Sequence, residues 1–248
     1  MENILVTGAS SGFGKSICQK LVQQGYPVTG FARRADKLEE LKAQLGELFT
    51  PIVCDVSDFA SIDSAFEQLG ESKIDVLVNN AGLALGLEPM HELAVKDWTT
   101  MINTNVSGLV YFTQKALPVM VNQNSGLIIN MGSIAGTYPY PGGNIYGATK
   151  AFVKQFSLNL RTDLLGTKVR VTNIEPGLCG DTEFSNIRFK GDDKKVEQVY
   201  ANVQYITPED IANTVSWLVE QPEHLNFNRI EIMPVAQACG ALSVHRDV

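Results

Sequence analysis

The sequence predicts a single α/β domain over residues 1–248, built as a doubly wound, mostly parallel sheet of about seven strands with helices on both faces. Three observations predict it. Short apolar runs alternate with helical patterns along the chain, which is the signature of βαβ units. The runs are apolar on both faces, as in a parallel sheet covered on each side. The 248 residues are 44% hydrophobic and 19% charged, an ordinary globular composition with ample core.

Strands are expected over 3–7, 27–32, 51–54, 74–79, 127–131, 169–174 and 227–232. Helices are expected over 13–25, 35–45, 57–70, 94–123, 146–165 and 208–220. Gly25, after KLVQQ, reads as a helix C-terminal glycine. Ser57 and Thr207 read as N-caps, the latter followed by Pro208 at the first helical position. Pro118 should kink or end the helix over 94–123. Phe152, Phe156, Leu160 and Leu164 recur every fourth residue and predict a buried stripe. Residues 177–206 break the alternation, are rich in Gly, Asp, Asn and Lys, and read as a lid within the domain.

Composition narrows the partners. A net charge of −7 argues against general nucleic-acid binding, which needs a basic face. No apolar run has membrane-span length, so no membrane partner is expected. The opening MENILVTGAS lacks a basic segment followed by a long apolar run, so no signal peptide is expected and the chain reads as cytoplasmic. Cys18, Cys54, Cys179 and Cys239 lie far apart without metal-ligand spacing. They predict free thiols and no metal site, with Cys18 and Cys54 in the core.

The ligand chemistry gathers at predicted strand ends. The first strand runs into TGASSGFGKS, comprising Thr7, Gly8, Ser10, Ser11, Gly12, Phe13 and Gly14, with the spacing G-x-x-x-G-x-G. Such glycines let backbone N–H groups approach a phosphate at a helix N-terminus, although they also suit a plain tight turn. The second strand ends in GFARRADKL, without the acidic residue that holds both ribose hydroxyls of NAD. Arg33 and Arg34 stand there instead, and guanidinium suits a 2′-phosphate, so a Rossmann-type site for NADP is predicted. Asp55 and Val56 end the third strand, in place for adenine; Asn80, Ala81 and Gly82 of VLVNNAG leave room after the fourth.

Tyr146 and Lys150 sit four apart in GGNIYGATKAF, on one helix face. A free tyrosine has a pKa of about 10 and is inert near neutrality. A neighbouring cation favours the phenolate and makes it a proton-transfer group. Ser133 follows the fifth strand in INMGSIAG, and Asn105 lies in NTNVSG.

Taken together, TGASSGFG, NNAG, the Asn of NVSG, Ser133, YGATK and the EPG of 175–177 resemble the short-chain dehydrogenase/reductase family over essentially the whole chain. The resemblance implies an NADP-dependent oxidoreductase with Asn105, Ser133, Tyr146 and Lys150 as its catalytic set. Tyr146 would be the general acid, with a pKa lowered by Lys150, and Ser133 would hydrogen-bond the substrate oxygen. Lys150 would also hold the nicotinamide ribose, and Asn105 a water relaying protons to it. Pro176, Gly177 and Thr182 would complete the cofactor site, Thr182 at the carboxamide. Relatives imply a homotetramer joined through the helices at 94–123 and 146–165, with the tail 241–248 crossing to a neighbour.

NNAGLALGLEP, the YPYPGG stretch, EPGLCGDTEFSNIRFKGDD and the tail ALSVHRDV look like the 3-hydroxy acid dehydrogenase subgroup. Its members oxidise serine, allo-threonine and 3-hydroxypropionate-like acids and reduce malonic semialdehyde. A small hydroxy acid needs a cation for its carboxylate; Arg188 and Lys190 are the lid's candidates, Arg being better suited to two-point binding, and both are equally readable as solvated charges. Tyr140 and Gly142, with Pro139 and Gly143, are expected to line the pocket between Ser133 and Tyr146. Two alternatives stand beside this reading. One is a 3-oxoacyl thioester or other ketone reductase of the same family. The other is a non-catalytic nucleotide-binding regulator, which the intact catalytic set opposes.

Overall fold

The computed structural model describes residues 3–240, so the expectation that 241–248 reaches a neighbour lies outside the described residues. Seven strands form one parallel sheet: β1 (Ile4–Thr7), β2 (Val28–Ala32), β3 (Phe49–Val53), β4 (Val76–Asn79), β5 (Gly126–Met131), β6 (Val169–Pro176) and β7 (Arg229–Ile232). Their order is β3-β2-β1-β4-β5-β6-β7. The chain winds outward from β1 to β3, then returns to β4 on the other side of β1. That reversal opens a crevice at the carboxyl ends of β1 and β4.

Strand alternation feeds two core layers. Ile4 and Val6 of β1 join one layer and Leu5 the other; Val76 and Val78 of β4 likewise oppose Leu77. The first layer is covered by α1 (Gly12–Gln23), α2 (Ala35–Leu45) and α9 (Pro208–Val219). The second is covered by α3 (Phe59–Leu69), α5 (Leu109–Asn122) and α6 (Asn144–Asp163). Both faces are therefore apolar because both are buried.

Thr207 caps α9 as expected, in a reciprocal box with Asp210, and Gly25 takes a left-handed φ of 88° after α1. Ser57 is not a cap. Asp58 caps α3 by accepting from the Ala60 N–H, while the Ser57 hydroxyl donates to Asp55. The helix expected over 94–123 is interrupted, but not at Pro118, which lies inside α5. The break is a π-helical stretch, Asn103–Gly108, after α4 (Val95–Ile102). Gly108 packs there against the Val56 carbonyl, where a Cβ would lie 2.1 Å from the oxygen. The stripe in α6 is buried only in its second half: Leu160 and Leu164 are core, Phe156 is half-buried, and Phe152 stacks on it at the surface.

The lid is more ordered than its composition suggests. It contains α7 (Phe184–Arg188) and α8 (Asp193–Tyr200). Its two ends meet in a short parallel bridge, Cys179 with Ile206, so the excursion leaves and returns through one neck. All four cysteines are free, with Cys18 and Cys54 buried as predicted. Among the described residues no helix is long and apolar enough to cross a membrane, and no cluster suits a metal ion.

Candidate active site

A cavity of about 460 Å³ runs along the carboxyl ends of β1, β2, β4, β5 and β6, with the lid over it. At one end lie Gly8, Ser10, Ser11, Gly12, Phe13, Arg33, Arg34, Asp55 and Val56; at the other, Ser133, Tyr140, Tyr146, Lys150 and Arg188. Asn80, Ala81, Gly82, Pro176, Gly177 and Thr182 also line it.

The glycine-rich end is built to receive an anion. Ser11 is the N-cap of α1 but makes no side-chain cap, and the first turn carries no acidic residue. Among the described residues, no side chain caps the N–H groups there. Arg33 is exposed at the cavity, and no ion pair or hydrogen bond of its side chain is found among the described residues. A phosphate-rich dinucleotide fits these features. Asp55 uses Oδ1 for the Ser57 amide and hydroxyl, at 2.9 and 2.7 Å, and still faces the cavity.

Two residues of the predicted cofactor set do not line the cavity and make close contacts within the scaffold. A Cβ on Gly14 would lie 2.2 Å from the Gly8 carbonyl, so this glycine lets α1 pack onto the loop and does not line the cavity. Thr7 does not line it either; its hydroxyl accepts from the Asn80 and Ala81 amides, both at 3.0 Å, and fixes the turn after β4. Arg34 lines the cavity but is engaged, donating to Ser10 and to both carboxylate oxygens of Glu183 in the lid.

At the catalytic end, Tyr146 stands in the first turn of α6, which begins at Asn144. Lys150 is buried, with Nζ donating to the Met131 carbonyl at 2.7 Å and lying 5.7 Å from the Tyr146 ring centroid. Ser133 opens the turn after β5, and its hydroxyl accepts from the Ala135 N–H at 3.1 Å. Asn105 is buried behind Gly82; its Oδ1 accepts from the Leu83 N–H, and its Nδ2 donates to the Leu83 carbonyl and to Thr149. A Cβ on Gly82 would sit 3.3 Å from Asn105 Oδ1 and 3.5 Å from Lys150 Nζ, so the bare glycine keeps these two groups close to the cavity. The π-helical turn gives Asn105 this register, a placement common for such turns at functional sites.

The electrostatics differ from the sequence expectation. Burial pushes the Tyr146 phenol above its ordinary range, and the lowering influences of Ser133 and the Arg188 charge do not cancel it. Burial also lowers Lys150, to about 8. Lys150 therefore does not by itself bring the phenol down: burial is the largest influence on both groups, raising the phenol and lowering the ammonium.

Arg188 and Lys190 part company. The Arg188 guanidinium lies 5.2 Å from the Tyr140 ring centroid and 5.8 Å from that of Tyr146, and Nη2 donates to the Tyr140 hydroxyl at 2.6 Å. Among the described residues its Nε is buried without a hydrogen-bond partner. Lys190 turns away to Asp97, at 2.6 Å. Gly142 does not line the cavity: with φ at 75°, it packs on Leu87, whose carbonyl oxygen a Cβ would approach to 2.2 Å. Pro139 and Gly143 are also absent from the lining, while Tyr138, unanticipated, is part of it.

Other unanticipated lining residues are Leu87, Glu183, Phe184, Phe189 and Tyr200. The aromatic residues spaced through an otherwise polar lid were the available signal; Glu183 carried none.

The family model for short chain dehydrogenases matches residues 2–193. The chain is 56% identical over 246 residues to the NADP-dependent 3-hydroxy acid dehydrogenase of Escherichia coli strain K12, covering 98% of this chain and 99% of that protein. It is 48% identical over 246 residues to serine 3-dehydrogenase of Agrobacterium fabrum, covering 98% of each. A solved structure of serine dehydrogenase in its closed form with NADP+ superposes with a TM-score of 0.93 at 55% identity, covering 99% of this chain and 100% of that one. The chain belongs to the short-chain dehydrogenase family.

Proposed function

We propose that this protein is an NADP-dependent oxidoreductase that interconverts a small 3-hydroxy acid, of the L-serine, L-allo-threonine or 3-hydroxypropionate type, with its 3-oxo acid or semialdehyde. The observation that carries the reading is Arg188. Its buried, unpartnered Nε and its place over the Tyr146 ring put a carboxylate-binding fork beside the proton-transfer group. Bulk hydrophobic lining alone would suit many ketones; a cation at this spot suits an acid. The names of the relatives agree with it.

Bound NADP+ supplies the hydride acceptor and a positive ring charge near the phenol. In oxidation the Tyr146 phenolate takes the substrate's hydroxyl proton as hydride leaves carbon; in reduction the phenol returns it. Ser133, which lines the cavity with Tyr146, orients the reacting oxygen. Lys150 adds a cation at the floor, and Asn105 holds the Leu83 backbone that borders it. Arg33 is the guanidinium free to meet a 2′-phosphate. Asn105 as anchor of a proton-relay water and Thr182 as carboxamide ligand belong to this reading as well.

Purified protein should oxidise 3-hydroxypropionate or L-serine with NADP+ at far higher kcat/KM than with NAD+. A panel of small 3-hydroxy acids giving no turnover would sink the substrate assignment.

The same reading expects a homotetramer joined through α5 and α6, supported by the exposed apolar Val121, Phe152 and Leu158. Light scattering at one chain mass would refute it. It also expects work in the cytoplasm, where four unpaired thiols stay reduced; cell fractionation placing the chain elsewhere would overturn that.

A further inference from the structure

Glu183 has no part in the catalytic set, yet it joins three separate pieces of the cleft. It stands just before α7, at the edge of the lid. Arg34, just past β2, donates Nη1 and Nη2 to its two oxygens at 3.0 and 2.9 Å. The same guanidinium donates Nε and Nη2 to Ser10 in the glycine-rich loop, at 3.3 and 3.1 Å. Ser11 lies near enough to help hold the Glu183 carboxyl below its ordinary value, after the larger influence of Arg34, and Thr182 lies against Gly12, 3.3 Å from where a Cβ would stand. Both Arg34 and Glu183 line the cavity.

A carboxylate beside a site for phosphates is unfavourable taken alone, since like charges repel. Its fork-to-fork pairing with Arg34 gives it a different purpose, because two parallel bonds fix direction as well as distance. Among the described residues Arg33 has no side-chain hydrogen bond or ion pair, so phosphate recognition does not need Arg34 to let go.

We propose that Glu183 is a positioning residue: by holding Arg34 it pins the lid across the cofactor end of the cleft and so sets how long the dinucleotide stays bound. The inference rests on the reading that the chain binds NADP, and it concerns release of cofactor rather than the chemical step. The two side chains are 40% and 50% exposed, so the pin is of the kind that opens readily.

The test follows NADPH fluorescence during displacement from the full-length protein by excess NADP+, without substrate. Saturable NADPH binding to the unmodified protein checks the cofactor reading on its own; no binding would remove that reading, whatever the variants do. Glu183→Gln should speed NADPH release roughly three- to fivefold. NADH release should quicken by the same factor, because the pin acts on the lid and not on the 2′-phosphate. Arg34→Ala added to Glu183→Gln should leave NADH release where Glu183→Gln put it. Release that is unchanged or slower, or an effect confined to NADPH, would overturn the proposal and make Glu183 a competitor for Arg34. Strictly additive effects on NADH release would overturn it as well.

Discussion

The floor of the cleft and the lid above it are held in different ways. On the floor, side chains bond backbone carbonyls: Asn80 to Thr7 at 2.9 Å, Asn105 to Leu83 at 2.8 Å, Lys150 to Met131 at 2.7 Å. Asn105 and Lys150 are buried, and each is anchored to a strand end or its following turn. The lid is held by side chains alone at most points: Arg34 with Glu183, Lys190 with Asp97, Arg188 with Tyr140. Backbone bonds tie it as well, from Gly86 N–H to the Arg188 carbonyl at 2.9 Å and from Gly177 N–H to the Ile232 carbonyl at 2.7 Å. Exposed ion pairs contribute about 0–1 kcal/mol and are screened by salt. The proposed proton-transfer groups thus sit where geometry is fixed by buried backbone contacts, and the proposed ligand-selecting groups sit where it rests on side-chain pairs. A dehydrogenase that must admit and release two ligands needs both.

Three experiments press on that contrast. The largest effect belongs to the floor. Tyr146→Phe should lower turnover by about 10²–10⁴-fold, the usual worth of a general acid, while NADPH affinity stays nearly constant. A variant that keeps most of its rate would move proton transfer to another group.

The second separates the two ends of the cleft. Arg188→Ala should raise KM for 3-hydroxypropionate by about 10- to 100-fold, as expected for a charge-assisted bond in a partly buried site, and leave KM for NADP+ alone. Arg33→Ala should do the reverse, raising KM for NADP+ about tenfold with little change for NAD+ or the acid. Either variant moving both constants together would mean that the ends are not independent.

The smallest effect is on stability and concerns the buried ammonium. Lys150 is lowered by burial to about 8, whereas in the unfolded chain it keeps its proton to about 10.4. Below pH 8 the folded state carries a buried charge, at full cost. Between pH 8 and 10 the folded state gives up that proton before the unfolded one does, so stability from this group rises with pH. Lys150→Met lacks the titration. The Tm difference, variant minus unmodified protein, should therefore fall by a few degrees from pH 7 to pH 10. A constant difference would show that Lys150 carries no buried charge.

Much of the site was legible before the structure because local chemistry dictates it. Thr207 with Pro208, Gly25, and Gly8 and Gly12 after β1 are written by short-range rules, and each lies where those rules put it. The errors share a cause: a residue's type was visible but its neighbours were not. Gly14 and Gly142 do not line the cavity; backbone passes close enough to each that a Cβ would clash. Phe152 keeps the period of a buried stripe yet lies at the surface, since period alone does not say how far the core extends. Ser57 has a capping side chain, but Asp55 lies near enough to claim it.

By itself the sequence determined the doubly wound parallel sheet, the dinucleotide loop, the missing acid after β2 and the spacing of Tyr146 and Lys150. Each follows from periodicity or from residues close in the chain. Only the tertiary structure decided three further matters. It turned Lys190 to Asp97 and left Arg188 at the cavity. It made burial, not a nearby cation, the main influence on Tyr146. And it joined Arg34 to Glu183 across 149 residues of chain. Desolvation and long-range pairing depend on what packs around a group, and no local pattern records that.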